Sequence, residues 1–235
     1  MSGPGSGLFS TTKPIHPHLA PQGSHQGLEG EVADLRSDVM KQVGPMAALT
    51  VEEFVNPATA SPNAIKLAIA TVAAVQTYSA AQLDGAVGQG ALSPPRNITV
   101  TTGGGTPANA PATVTINGVD GSGKSLIETI NVGSTAGTVA GVKAFAKVTS
   151  IALPAAGGTA ATLAFGFGAL IGLGKKIKTR AGLTFLMKEV SAGALVTNGV
   201  VAAAATGSPN GTYAPNAAPN GATAYAIFYE YDPTA

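Results

Sequence analysis

The chain contains no cysteine, which excludes a disulfide scaffold, thiolate metal sites and a cysteine nucleophile. Charge is scarce as well. Only 11% of the 235 residues are charged, where an ordinary globular protein has roughly 25%. No charged residue lies between Glu189 and Glu230. So little charge gives a free monomer little to keep it in solution, and points to surface hidden in an oligomer or a larger assembly. The net charge of +1 supplies no global field toward nucleic acid or anionic lipid, and neither partner is expected. Histidine is confined to His16, His18 and His25, so a Ser–His–Asp triad would have to borrow one of these. His16-Pro17-His18 has no third ligand fixed beside it, and no metal or other cofactor is expected. A basic segment followed by an apolar run is missing at the start, so no signal peptide is expected.

What remains is rich in Gly, Pro, Ala and Val. Residues 1–27 hold almost no large apolar side chain and read as an extended arm that orders only on a partner. Leu28, Val32, Leu35, Val39 and Val43 then recur at spacings of 4, 3, 4 and 4, with Glu29, Glu31, Asp34, Arg36, Asp38 and Lys41 on the other faces. That spacing predicts an amphipathic helix over 28–44, stopped by Gly44-Pro45. Leu28, Val32, Leu35 and Val39 are its candidate partner-binding residues.

From residue 45 onward the pattern is that of one β-domain, with a subdivision near 172–175 left open. Strands are expected at 64–71, 74–78, 97–102, 112–119, 125–132, 144–153, 159–167, 175–180, 183–190, 198–205 and 223–231. A loop is expected over 82–95. Short strands with Gly, Pro and Asn between them indicate an antiparallel β-sandwich or a jelly-roll-like barrel. The uncharged run 151–174 contains Pro154 and six glycines, and Leu163, Phe165 and Phe167 alternate with small residues. Buried β-structure explains it better than a membrane-spanning helix. Residues 207–221 read as a long turn-rich excursion, the kind of loop that makes contacts.

Gly118-Val119-Asp120-Gly121-Ser122-Gly123-Lys124-Ser125 matches the P-loop pattern G-x-x-x-x-G-K-[ST] letter for letter. The chemistry needs a helix after the loop, to aim backbone N–H groups at phosphate. Here the following residues, Leu126 to Val132, are β-branched strand material. None of the five aspartates follows an apolar strand where a Mg²⁺ ligand would sit. Gly118, Gly123, Lys124 and Ser125 therefore read as part of a hairpin turn, and no enzyme activity is expected. The acidic pairs Glu52-Glu53 and Glu230/Asp232 read as solvated surface. Glu52-Glu53 are expected where a strand or short helix begins.

Lys175, Lys176, Lys178 and Arg180 form the only basic cluster. On a strand, Lys176, Lys178 and Arg180 share one face. Two readings stand: an edge strand defended by lysines, or a surface that docks onto an acidic partner. No aromatics interleave, which weighs against single-stranded nucleic acid. Tyr225, Ile227, Tyr229 and Tyr231 alternate on one face of a strand that packs either a core or a subunit interface.

Residues 94–153 read PPRNITVTTGGGTPANAPATVTINGVDGSGKSLIETINVGSTAGTVAGVKAFAKVTSIALP. The order of an RN-ITVT strand, a TVTINGVDGSGKSLIETI hairpin and GVKAFAKVTSIALP resembles a segment of tailed-bacteriophage structural proteins. The resemblance extends over about 63–173, and more loosely to the closing YEYDP. It implies a capsid decoration (cement) or minor capsid protein. Its expected place is the outer capsid surface of the virion, after synthesis in the host cytoplasm. Its expected partners are the major capsid protein and itself, as a homotrimer that bridges capsid subunits. The alternatives are a low-copy tail, neck or fibre component and a carbohydrate- or receptor-binding β-module. For the last of these Tyr213 is the one candidate aromatic.

Overall fold

The computed structural model describes residues 48–180, 183–184, 187–202 and 210–233. The expected arm over 1–27 and helix over 28–44, with Leu28, Val32, Leu35 and Val39, lie outside them. The described chain is mainly β and its strand pairings are antiparallel, as the alternating pattern predicts. The strands are β1 (Ala48–Phe54), β2 (Ser61–Ala70), β3 (Gln76–Ser79), β4 (Ala91–Gly104), β5 (Thr113–Val119), β6 (Ser125–Asn131), β7 (Gly137–Leu153) and β8 (Ala161–Gly172). After these come β9 (Thr179–Arg180), β10 (Leu183–Thr184), β11 (Met187–Ser191), β12 (Ala194–Val196), β13 (Val200–Ala202), β14 (Thr212–Ala214) and β15 (Tyr225–Tyr231).

A nine-stranded sheet runs β13-β14-β8-β4-β7-β5-β6, with β2 added to β8 and β3 to β7. It curls into a half-barrel around the first core. Ile98 and Val100 of β4, Val114 and Ile116 of β5, Phe145 of β7 and Phe165 of β8 are fully buried there. Each such side chain contributes about 1.5–3 kcal/mol by leaving water. A four-stranded sheet, β1-β15-β11-β12, faces the end of the first across a second core. Phe54, Tyr225, Ile227 and Tyr229 enter it from the four-stranded sheet, and Ile171 and Tyr213 from the nine-stranded one. The YAIFYEY strand is therefore central, and its Tyr225, Ile227 and Tyr229 face is core.

The strand pattern differs from the expected one at identifiable places. The loop expected over 82–95 ends early, because β4 begins at Ala91 and runs through Pro94-Pro95. The β4–β7 register slips between Ala91 and Arg96, so the missing proline N–H groups break no regular ladder there. The strand expected over 175–180 is reduced to β9 and a bridge from Ile177 to Tyr231. The strand expected over 183–190 is divided into β10 and β11. Of 198–205, Val200–Ala202 is strand and 203–205 lie outside the described residues. Glu52-Glu53 sit well inside β1 rather than at its start.

Candidate functional site

The residues that carry the resemblance converge on the inside of the half-barrel. Arg96 is only 2% exposed. Its Nε donates to Gly168 O at 2.9 Å, Nη1 donates to Ala58 O at 2.9 Å, and Nη2 also donates to Gly168 O. The guanidinium lies 5.0 Å from the Phe167 ring centre. Burial pulls its pKa down to about 10, which still leaves it charged at neutral pH. Asn97 spans two strands: its Nδ2 donates to Gly141 O at 2.8 Å and its Oδ1 accepts from Leu170 N at 3.0 Å. Glu128 Oε1 accepts from Val142 N at 2.7 Å and Lys143 N at 3.2 Å. In return Lys143 Nζ donates to Ile127 O at 2.8 Å. These bonds hold an irregularity in β7 between Ala140 and Ala144, opposite Asn97–Thr99. Gly141 leaves room for the Glu128 carboxylate, which a β-carbon there would displace. The RN, ETI and GVKAF signatures are thus polar staples of a bent strand.

The P-loop-like octapeptide closes the β5–β6 hairpin. Asp120 N donates to Lys124 O at 2.9 Å, and Asp120 Oδ1 accepts from Ser122 N at 2.8 Å and Lys124 N at 2.9 Å. Gly123 adopts φ +78°, a left-handed conformation that favours glycine. Gly118 ends β5 and Ser125 begins β6. A strand follows the loop, so no helix N-terminus is aimed at a phosphate here.

The structure brings this turn together with part of the basic cluster. An open pocket of about 320 Å³ lies between them, with Lys124, Lys175, Lys176, Asn210, Tyr231 and Asp232 in its wall. Asn210 Nδ2 ties the two sides by donating to Ser122 Oγ at 2.9 Å and Gly174 O at 3.0 Å. Glu52 fixes the 174–175 backbone, accepting from Gly174 N at 2.9 Å and from the Tyr229 hydroxyl. Burial and the Glu52 carboxylate both push the Tyr229 phenol well above its ordinary range. Lys175 Nζ sits 4.2 Å from the Tyr231 ring centre. Ile177 is buried between exposed Lys176 and half-buried Lys178, so the two lysines point away from the core together. The side chain of Arg180 lies outside the described set.

The four-stranded sheet presents a second surface. Its outer face carries Leu49 at 68% exposure, Val51 at 46%, Phe228 at 45% and Leu195 at 72%. Val51 lies opposite Phe228, and Leu195 connects to them through Val190 and Ala226, with Lys188 on the other side of Phe228 and Glu230 beside Leu49 at the patch border. A shallow depression of about 220 Å³ beside it is walled by Val55, Val190, Ala226 and neighbours.

Tyr213 does not offer an exposed ring for a sugar. It is fully buried, donates to Glu189 Oε2, and accepts from Gly199 N at 2.7 Å. The described part of the expected excursion, 210–221, is pinned to the core at this point. Glu189 Oε2 also accepts from Gly199 N at 3.1 Å and Asn216 N at 3.0 Å. Glu189 and Asn210 were not legible as structural residues. The only signal was that Glu189 is the last charge before a long uncharged stretch.

His16, His18 and His25 lie outside the described residues. Among the described ones, no group of three or more His, Asp or Glu could hold a metal, and no helix is long and apolar enough to cross a membrane. No family model matches the chain, and neither does any curated protein or solved structure.

Proposed function

We propose that this chain is a virion structural protein that decorates the outer capsid shell and bridges major capsid subunits. The observation that carries the reading is the apolar patch of Leu49, Val51, Leu195 and Phe228 on the outer face of the four-stranded sheet. Phe228 belongs to a central strand, so its exposure is not fraying at an edge. The low charge and the resemblance over residues 94–153 support the same reading.

The magnitudes favour several weak joints over one strong one. Burying the four side chains would contribute on the order of 1–2 kcal/mol each, since all are partly covered already. Association costs about 4–15 kcal/mol in lost freedom. One patch alone therefore binds weakly, and occupancy would rest on several patches acting together in a homotrimer.

Copy number per particle, by quantitative mass spectrometry of purified virions against the major capsid protein, tests this. A ratio near one per capsid subunit, or one trimer per local threefold, is the expected result. A count of roughly six to twelve would move the protein to the neck or tail. Absence from particles would overturn the reading.

A further inference from the structure

We infer that the pocket between the β5–β6 turn and residues 174–176 is a binding site for carboxylate side chains, presented by an acidic segment of a partner protein. The inference is independent of the capsid reading, because it concerns what the isolated protein binds. Its first support is charge. Three lysines, Lys124, Lys175 and Lys176, line it against one acidic residue, Asp232. Among the described residues, the Lys124 and Lys176 side chains have no hydrogen bond or ion pair, so two cations of the lining are unspent. The scaffold is set before any ligand arrives, because Asn210 already clamps Ser122 to Gly174.

The second support comes from what the pocket does not offer. Phosphate recognition at such a turn relies on free backbone N–H groups. Here Ser122 N and Lys124 N are bonded to Asp120, and Gly174 N and Lys175 N to Glu52. Beside the Ser122 hydroxyl and the Lys176 N–H, the remaining donors are ammonium point charges. A carboxylate, which needs only ammonium partners, fits this set of donors better.

The test is an NMR titration of the full chain with a blocked hexaglutamate peptide at low salt. Amide shifts confined to 122–124, 174–176 and 231–232 are expected, with millimolar dissociation. The Lys124→Ala/Lys176→Ala double variant should bind about tenfold more weakly, because it loses two exposed ion pairs. Lys176→Arg should retain binding, and added salt should weaken it. Unchanged amide signals at about 10 mM peptide would overturn the proposal, as would equal affinity in a folded double variant. Tighter binding of inorganic phosphate at the same amides would overturn it too, in favour of a phosphate site.

Discussion

Glu128 sits where the half-barrel bends, and its removal measures how that bend is held. The carboxylate is buried, Oε1 takes the N–H groups of Val142 and Lys143, and Oε2 has no partner. Truncation to alanine removes two charge-assisted bonds, about 3–6 kcal/mol in gross terms. It also removes a carboxylate whose burial, the largest influence on it, raises its pKa. The relief of that desolvation opposes the loss, and a net destabilisation of about 2–3 kcal/mol is expected for Glu128→Ala at pH 7. Glu128→Gln separates the two effects: the amide oxygen can still accept both N–H groups, but no charge is buried. It should stay within about 1 kcal/mol of the wild type.

The pH dependence follows from the raised pKa. Above about pH 4.3, where a free glutamate loses its proton, the folded protein still holds one at Glu128. The native state therefore binds more protons than the unfolded chain. This group's contribution to stability falls as pH rises through the window up to the folded pKa. Glutamine has no such slope, so its stability relative to the wild type should rise from pH 4 to pH 7. Urea unfolding of the three proteins across that range measures it. The reasoning fails if the alanine variant matches the wild type at pH 7, or if the gap between glutamine and wild type stays constant across the window.

Glu189→Ala takes the acceptor from the buried Tyr213 hydroxyl and from the more exposed N–H groups of Gly199 and Asn216, and should cost about 2–4 kcal/mol in thermal or urea unfolding. Tyr213→Phe should cost less on its own and show coupling to Glu189→Ala in a double-mutant cycle. Burial is the main cause of raised pKa values at Tyr213, Tyr225 and Tyr229. Absorbance titration should therefore find these three phenols ionising only at pH values above the ordinary range or on unfolding. Asp120→Ala should destabilise the β5–β6 turn by about 1–2 kcal/mol, whereas Lys124→Ala should leave stability unchanged and ATP binding absent, by equilibrium dialysis, in both variant and wild type. Phe228→Asp should leave the unfolding midpoint within error yet remove the protein from particles in an occupancy assay.

Alternation made much of the architecture legible. Val114, Ile116, Leu126 and Ile130 face one way along β5 and β6 because period-2 burial leaves no other arrangement for a TVTINGV–SLIETIN hairpin. The turn between them was readable from Asp120 and Gly123, whose roles are local. Strands β12 and β14 were not readable. Each has three residues, too few to show a period, and Tyr213 in β14 is held by Glu189 from a distant part of the chain. The basic pocket was half legible. The hairpin turn and the lysine cluster were each visible in sequence, but the Asn210 clamp, 88 residues from Ser122, that ties them into one wall was not.

The division of labour between the two surfaces and the interior bears on what the phage resemblance means. Arg96, Asn97, Glu128, Gly141 and Lys143 are its signature residues; the first four are spent on bonds or clearances inside the half-barrel, and Lys143 on an exposed bond to Ile127 O beside them. A signature of this kind reports how a strand is bent, and any chain that bends β7 in the same way needs the same staples whatever it binds. Partner choice must then reside in residues outside it. On this chain those are the apolar row around Phe228 and the lysines around Tyr231. Exchanging these surface positions while leaving the staples intact should change the partner without changing the fold. Exchanging the staples should unfold the half-barrel without redirecting binding.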